Sequence, residues 1–327
     1  MCPDAPSALV GGCGSPPRVP LRWGAVRVVA ALALAASIVS LPATALAQAC
    51  CAAAGLVIPA RLRIHEDYGV GLEARARSAF GSFGADGRFA TTSSGDLVTQ
   101  QTVFAALRVF RDAQLALLIP YVQTRRTIPG LTEWGEGLGD IAANARYEFV
   151  RAGDYARIPG VALLAGVVFP TGRAPDESTR PLGTDAAGTG TFDPSLGVEI
   201  EQTFLHAFIS FDGWVSHKTT RTTAAIDESF GLRLTALLAA GYAFDNEASC
   251  GAFVTGTHQG GSWDRRANGP IAGTSLALVT AGVAGALPFR DLWRLQGAGS
   301  VDVPVSGWGR NEPAGVGLNV SLLKVWM

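Results

Sequence analysis

Apolar and polar residues alternate along several stretches of about ten residues, and this period-two pattern constrains the fold more than any other feature of the chain. Between residues 192 and 204, for example, Val198 and Ile200 share an apolar face, whereas Glu199 and Glu201 lie on the opposite one. Similar alternation runs through residues 68–77, 140–149, 293–305 and 316–326. A period of two is the side-chain repeat of a β-strand that has one apolar face.

After residue 47 the sequence contains no apolar run long enough for a membrane-spanning helix, which needs about 20 residues. Only helices and closed β-barrels satisfy every backbone hydrogen bond within lipid, so any membrane span of this chain has to be a barrel strand. The composition agrees, because 48% of the residues are hydrophobic and only 16% are charged. The 40 glycines argue against a helical bundle, and the net charge of −1 excludes a nucleic-acid binder that relies on a basic surface.

Short turns alternate with long polar loops between the predicted strands. The short turns lie near residues 112, 152, 205, 245 and 290, and the long loops span residues 81–95, 127–138, 174–190, 219–227, 260–273 and 306–315. The strands are predicted to begin near residues 67, 98, 114, 139, 160, 191, 206, 228, 249, 272, 293 and 315. A soluble sandwich alternates too, but short turns at one end and long loops at the other are typical of outer-membrane barrels. The sequence therefore predicts an all-β fold, a transmembrane antiparallel up-and-down β-barrel of about 12 strands with both chain ends in the periplasm.

The first 47 residues have the features of a secretory signal peptide. Several arginines precede an apolar run over residues 28–41, and the A-x-A site Ala45-Leu46-Ala47 follows it. We predict a signal peptide at 1–47 that is cleaved, an N-terminal periplasmic segment at 48–66, a barrel over 67–327, and location in the outer membrane. Lipidation of Cys50 is the alternative for this end, although Leu46 lies one position too far from that cysteine.

Cleavage would leave three cysteines, which are Cys50, Cys51 and Cys250. Adjacent cysteines rarely pair with each other, because their geometry does not suit a disulfide. The sequence has no C-x-x-C motif and no Cys/His cluster, so we predict neither a metal site nor a cofactor.

Charged residues on the polar faces of the predicted strands are expected to point into the barrel, because a charge facing lipid at the midplane costs about 2–4 kcal/mol. The candidate lumen-lining residues are Glu73, Arg75, Arg77, Arg108, Asp140, Asn144, Arg146, Glu148, Glu199, Glu201, Asp212, Arg233, Arg294 and Asp302. Residues 48–66 are too few for a plug domain, but they suffice for a short gate under the barrel. In that arrangement Arg61 and Arg63 would meet inward acids such as Glu199 or Glu201.

Several motifs in the middle of the chain match a known pattern. They are Glu136-Gly137-Leu138-Gly139-Asp140-Ile141, Ala145-Arg146-Tyr147, residues 159–167, Phe169-Pro170-Thr171-Gly172, Gly188-Thr189-Gly190 and Phe192-Asp193-Pro194-Ser195-Leu196-Gly197. In this order they resemble the outer-membrane transporter family named after the meta-pathway of phenol degradation. The resemblance covers residues 135–200 best, and it implies an outer-membrane β-barrel with a transport role.

Twelve strands leave the function open, since about eight strands are filled by side chains and about 16–18 enclose a water channel. We expect a narrow channel for passive uptake or efflux of small compounds, hydrophobic or aromatic ones among them. A filled structural or adhesive barrel is the second hypothesis. An outer-membrane hydrolase that uses His258, Ser262 and Asp264 is the third, but these residues lack a recognisable catalytic spacing, so we expect no enzyme.

The expected partners are those of an outer-membrane protein. They are outer-membrane lipid and lipopolysaccharide, the barrel-assembly machinery and an unidentified small solute, whereas nucleic acid is not expected. Trp326 is the penultimate residue, and outer-membrane barrels commonly end in an aromatic residue that the assembly machinery reads. Lys324 shares the apolar face of this last strand, and its side chain is expected to snorkel to the interface.

An epitope tag inserted at Gly183, in a long loop, should be labelled on intact cells, whereas a tag near Asp112, in a short turn, should not. The long loops of outer-membrane barrels face outside and the short turns face the periplasm. Labelling with an antibody before and after permeabilisation measures both positions. Labelling of the Asp112 tag alone on intact cells would invert the predicted topology.

Overall fold

Twelve long antiparallel strands form the molecule, which confirms the predicted all-β fold and its strand number. The computed structural model describes residues 60–327 except 93–94, 156, 224 and 291, so the predicted signal peptide, Cys50 and Cys51 lie outside the described residues. The strands are β1 (Tyr68–Phe83), β2 (Gly95–Phe110), β3 (Ala113–Ile128), β4 (Ile141–Val150), β5 (Gly160–Phe169), β6 (Asp193–Phe204), β7 (Ala207–Ser216), β8 (Arg233–Ala243), β9 (Ser249–Gln259), β10 (Leu276–Pro288), β11 (Trp293–Asp302) and β12 (Pro313–Trp326).

The sheet closes on itself because the first and last strands pair. Their register runs from Tyr68 opposite Trp326 to Ser82 opposite Pro313. Each of the remaining strands pairs with its neighbours in sequence, so the topology is up-and-down. Closure leaves no unpaired sheet edge around the wall, which is the condition for a strand structure in lipid.

No helix in the described part of the chain is both long and apolar enough to cross a membrane.

The outward face is an apolar belt with aromatic residues at its short-turn end. Tyr68 and Trp326 stack there with ring centroids 4.9 Å apart. The Lys324 ammonium lies 4.9 Å from the ring of Trp326 and 5.5 Å from that of Trp293. Aromatic rings and a lysine among them are typical of the level where lipid meets water, so this end of the barrel marks one membrane interface.

The predicted long loop over 127–138 is wrong, because a further strand, Leu131–Leu138, pairs with the upper half of β3. The hairpin turns at Pro129 and Gly130, and Gly130 has a positive φ of 83°. After this strand, Gly139 and Asp140 interrupt the ladder before β4 begins. The alternation in this stretch belongs to a hairpin that continues the wall above the membrane, where polar Thr and Glu side chains are tolerated on both faces.

Three other predicted long loops, over 81–95, 219–227 and 260–273, also contain or border short strands. Residues 221–222, 227–229, 263–264 and 269–270 form a separate four-stranded sheet. A fifth short strand, Phe89–Thr91, pairs with the end of β1. The long-loop end of the barrel is therefore more ordered than the sequence pattern indicated.

Leu238→Lys should lower the free energy of unfolding by about 2–4 kcal/mol, whereas Leu232→Lys should lower it by about 0–1 kcal/mol. Leu238 is 52% exposed on the outward face of β8, four residues from Tyr242 and so about 13 Å along the strand from the aromatic level. Leu232 is 48% exposed just before β8 begins, at the long-loop end. Urea unfolding of the protein folded in lipid vesicles compares the two variants, and equal costs would contradict the placement of the membrane.

Candidate functional site: the barrel lumen

The N-terminal residues 60–66, here called the plug segment, fold into the short-turn end of the barrel. The side chains of Ala60 and Leu62 are buried in an apolar cluster, whose other members are Phe104, Ala106, Leu323 and Val325. The Leu62 amide donates to Gln114 Oε1 at 2.9 Å, so the segment is also hydrogen-bonded to the wall. The barrel is thus closed at this end by its own chain.

Arg108 at the end of β2 holds the backbone of the plug segment. Its guanidinium donates to the carbonyl of Glu66 at 3.0 Å and to the carbonyl of Arg63 at 2.6 Å. The Glu66 side chain forms an ion pair with Arg294 of β11, and both side chains are buried. These contacts join the plug segment to two strands on different parts of the wall.

The buried side chain of Arg61 carries the plug segment into a charged cluster. Its Nη1 lies 2.9 Å from Glu201 Oε2 and 3.1 Å from Glu199 Oε1, and these acids are only 1–2% exposed. Arg146 of β4 binds Glu199 at 2.8 Å and also pairs with Glu148. Buried charges are tolerated only when they are paired, so the four wall residues and Arg61 depend on one another.

The predicted gate contact of Arg61 with Glu199 and Glu201 is therefore present, but the prediction for Arg63 is wrong. Arg63 pairs at 2.6 Å with Glu247, which lies in the turn between β8 and β9. A single residue, Leu62, separates the two arginines, yet Arg63 reaches the rim while Arg61 reaches the inner charged cluster. Its pair is partly exposed, with 21% and 42% of the two side chains accessible.

Asp212 and Asn144 lie beside the Arg61 cluster. Asp212 stands directly opposite Glu199 in the ladder between β6 and β7, and it is buried. Its Oδ1 has no hydrogen-bond partner among the described residues. Asn144 lines a small hollow of about 90 Å³ between the plug segment and the wall. The plug segment and the charged cluster thus occupy the inner half of the lumen around this hollow.

The outer half of the lumen holds a larger hollow of about 380 Å³, here called the outer chamber. Three arginines line it, Arg75, Arg77 and Arg233, together with Asp302, Glu312 and an apolar group of Phe253, Leu276 and Leu278. Arg77 binds Asp302 at 2.6 Å, and Arg75 lies 3.1 Å from Glu73. Asp302 also accepts hydrogen bonds from the Thr280 hydroxyl at 2.6 Å and the Gly315 amide at 2.8 Å.

The loop between β5 and β6 packs against the opposite wall of the mouth. Asp140 accepts hydrogen bonds from the amides of Gly172 and Thr189, at 3.0 and 2.7 Å. Glu133 accepts from the amide of Leu182 and the hydroxyl of Thr184, at 3.1 and 2.7 Å. Hydrogen bonds from the Ser178 and Thr179 side chains hold the pKa of Asp185 well below its usual range. The acids in this region anchor a loop.

The alternation predicted that Asp140 lines the lumen, but Asp140 instead anchors the loop between β5 and β6. It lies in the break before β4 and its carboxylate is occupied by the loop. The other candidate lumen residues stand at inward-facing positions of the strands. They divide between the plug contacts (Arg108, Arg294), the inner cluster (Asn144, Arg146, Glu148, Glu199, Glu201, Asp212) and the outer chamber (Arg75, Arg77, Arg233, Asp302), and the buried Glu73 pairs with Arg75 of the chamber.

Sequence reasoning missed several residues of the lumen. Glu312 and Glu133 fall in stretches predicted as loops, where no period-two pattern indicates a facing. Gln114 and Phe253 lie on strands, and their alternation with outward neighbours was the signal that could have found them. In the described ranges, no group of three or more His, Cys, Asp or Glu side chains is placed to hold a metal.

The comparisons with known proteins agree with this architecture. A profile of the family described as "Putative MetA-pathway of phenol degradation" matches residues 75–322. The COG4313 outer membrane channel from Pseudomonas putida F1 superposes with a TM-score of 0.66 at 11% identity, covering 83% of this chain and 98% of that one. The search of curated proteins returned no significant match.

Two further solved barrels are more distant. The translocator domain of autotransporter NalP from Neisseria meningitidis has a TM-score of 0.48 at 10% identity, covering 92% of this chain and 96% of that one. The toluene transporter TodX from P. putida has a TM-score of 0.40 at 10% identity, covering 81% and 91%. The likeness to the COG4313 channel shows that this chain has the fold of an outer-membrane barrel.

Arg61→Ala should loosen the plug segment and raise the single-channel conductance in planar bilayers. The substitution leaves the buried carboxylates of Glu199 and Glu201 with Arg146 as the one remaining arginine beside them. Removal of one partner from a buried ion pair destabilises a protein by about 3–5 kcal/mol. Arg63→Ala is the matched control, because it removes the same charge from an exposed pair worth about 0–1 kcal/mol. Equal conductance of the two variants would contradict a plug held by Arg61.

Proposed function

The chain belongs to the family described as "Putative MetA-pathway of phenol degradation", and from this premise we propose that it is an outer-membrane channel for passive passage of small hydrophobic or aromatic compounds. The observation that carries the proposal is the outer chamber of about 380 Å³ inside a closed barrel. A hollow of this size suits one small molecule, since ligand pockets span about 300–1,000 Å³. The motifs at residues 136–197 that resemble this family lie within the matched part of the chain.

The chamber wall supports a solute with an apolar body. Phe253, Leu276 and Leu278 face the chamber from two neighbouring strands. A water-filled pore for ions does not need such an apolar surface, so its presence favours a solute with an apolar part. The fold relative from P. putida F1 is itself named an outer membrane channel. The family description refers to phenol degradation, and phenol is a small aromatic molecule of the size that the chamber accommodates.

The plug segment sets the resting state of the proposed channel. Ion pairs of Arg61 and Glu66, together with the burial of Leu62, close the inner end. Passage to the periplasm therefore requires the segment to move, and the candidate lumen residues would then line a continuous path. The free-energy cost of this motion comes from the ion pairs that break, because each buried charge then needs another partner.

Location and biogenesis complete the proposal. We infer export through cleavage of residues 1–47, with residues 48–66 on the periplasmic side. Lipopolysaccharide phosphates would meet the arginines of the outer rim, such as Arg180 and Arg266. The barrel-assembly machinery would read the C-terminal strand that ends at Trp326.

We propose that the chain is not an enzyme. His258 is exposed on the outward face of β9 and makes no hydrogen bond or ion pair with a described residue. Ser262 is buried, and its amide is bonded to Thr274 Oγ1. Asp264 Oδ1 accepts hydrogen bonds from the amides of Asp227 and Arg266. A nucleophile, a base and an orienting acid have to be within hydrogen-bond reach of one another, and these three side chains are not.

A filled structural barrel is the second candidate, and the plug segment and charged cluster in the inner half of the lumen favour it. It differs from a channel in having no pathway that the plug segment controls. Loosening the segment should therefore raise passage through a channel, whereas it should leave passage through a filled barrel unchanged.

Expression of the protein in cells with intact lipopolysaccharide should raise the rate of uptake of N-phenyl-1-naphthylamine, a neutral aromatic probe that this outer leaflet excludes. Arg61→Ala should raise the rate further, because the plug segment is then held less firmly. Probe fluorescence measures uptake directly. A filled barrel predicts the rate of empty-vector cells for both proteins.

Arg63→Ala is the matched control for this assay, and its uptake should equal that of the unmodified protein. Sensitivity to vancomycin reports general damage to the outer membrane, because this antibiotic is too large for a twelve-stranded lumen. Heat-modifiable migration on gels confirms that each variant is folded. Uptake that rises only together with vancomycin sensitivity would contradict the channel.

A further inference from the structure

The three arginines of the outer chamber differ in how their charge is balanced. Arg75 is paired with Glu73, and Arg77 is paired with Asp302. No hydrogen bond or ion pair joins the guanidinium of Arg233 to another described residue, although it is partly buried. A guanidinium that is partly removed from water and lacks a carboxylate partner attracts an anion.

Lys218, in the loop after β7, adds a second cation without a carboxylate pair. Its ammonium lies 5.5 Å from the centroid of the Phe230 ring, and no ion pair involves it among the described residues. Burial lowers the pKa of Lys218, and the neighbouring charges of Arg233 and Arg221 lower it further, while Asp193 and Asp140 oppose them. Arg233 and Lys218 therefore share this region with the carboxylates of Asp193 and Asp140, and neither cation forms an ion pair with them among the described residues.

Glu312 is the acid of the chamber lining that acts on Arg233. Burial raises the pKa of its carboxyl and Asp302 raises it as well, whereas Arg233 and Arg77 lower it. Its side chain makes no hydrogen bond or ion pair with the described residues, so it does not occupy the guanidinium of Arg233. The Glu312 carboxylate therefore weakens the attraction of the chamber for an anion, but it does not itself form an ion pair with Arg233.

The apolar wall of the chamber lies close to Arg233. In the strand register Arg233 stands opposite Gln259, and Gln259 stands opposite Leu276. Adjacent strands are about 4.8 Å apart, so Leu276 lies about 10 Å from Arg233 across the sheet. Leu278 is two residues further along the same face, and a charged group and an apolar wall thus face one volume.

This inference rests on the proposed channel function and names its solute class. We propose that the outer chamber binds a small amphipathic anion, a single-ring or short-chain carboxylate. Its carboxylate would bind the guanidinium of Arg233, whose planar fork matches a carboxylate in two parallel hydrogen bonds. Its apolar body would lie against Leu276 and Leu278, and the 380 Å³ chamber admits one such molecule.

Calorimetric titration of the barrel in lipid nanodiscs tests the inference with three single-ring probes of similar size, benzoate, benzyl alcohol and benzylamine. Benzoate should bind most tightly. Arg233→Gln should weaken benzoate binding about tenfold or more and leave benzyl alcohol unchanged, because a hydrogen bond between charged groups is lost. Glu312→Gln should tighten benzoate binding, since it removes the opposing charge at nearly constant shape.

Arg88→Gln is the matched control, because Arg88 has an 86% exposed side chain in an outer loop and lies outside the chamber. Equal benzoate affinity of the Arg233 and Arg88 variants would overturn the proposal, and so would weaker binding by Glu312→Gln or a preference for benzylamine. Glu312→Gln is expected to gain affinity, so a loss of folding cannot mimic its result.

The result is separable from that of the uptake assay, because binding in nanodiscs requires no transport. Probe uptake without Arg233-dependent benzoate binding would overturn only the anion site. Arg233-dependent binding without uptake in cells would overturn the channel function and leave the site.

Discussion

Every backbone amide and carbonyl within lipid needs a partner, and the closure of β1 on β12 is the contact that provides the last of them. An unsatisfied polar group in hydrocarbon costs several kcal/mol, so an open sheet of these strands would not persist in a membrane. Once the wall is closed, each strand has one face in lipid and one in the lumen. The alternation of Val198 and Ile200 with Glu199 and Glu201 follows directly from this geometry.

The charges that lipid excludes have to be accommodated inside, and the chain solves this differently at its two ends. At the inner end the plug segment brings Arg61 to Glu199 and Glu201, so these two buried carboxylates have an opposite charge beside them. This pairing stabilises the closed state, because withdrawal of the segment would leave two carboxylates with a single arginine. The contact of Arg61 with Glu199 and Glu201 therefore both neutralises the buried acids of the wall and closes the lumen.

The strands could be predicted from the sequence because burial repeats every second residue, and the predicted starts of β5, β9 and β11 coincide with the observed ones at Gly160, Ser249 and Trp293. The facing of the wall residues follows from the same repeat. The loops carry no such repeat, so the hairpin strand Leu131–Leu138, the anchoring role of Asp140 and the position of Glu312 could not be predicted. Arg61 and Arg63 differ by two residues, yet only contacts across the barrel separate the buried arginine from the one at the rim.

The outer chamber differs from the inner cluster in leaving positive charge unpaired. A purely structural interior gains from complete pairing, since an isolated partly buried cation costs solvation energy that nothing returns. Arg233 and Lys218 retain that cost on the side where solutes would arrive, next to an apolar wall. None of the nearby carboxylates among the described residues forms an ion pair with Arg233, so a bound carboxylate would supply the direct partner that this guanidinium lacks. The same positive charge would draw such a ligand from the outer surface toward the closed plug.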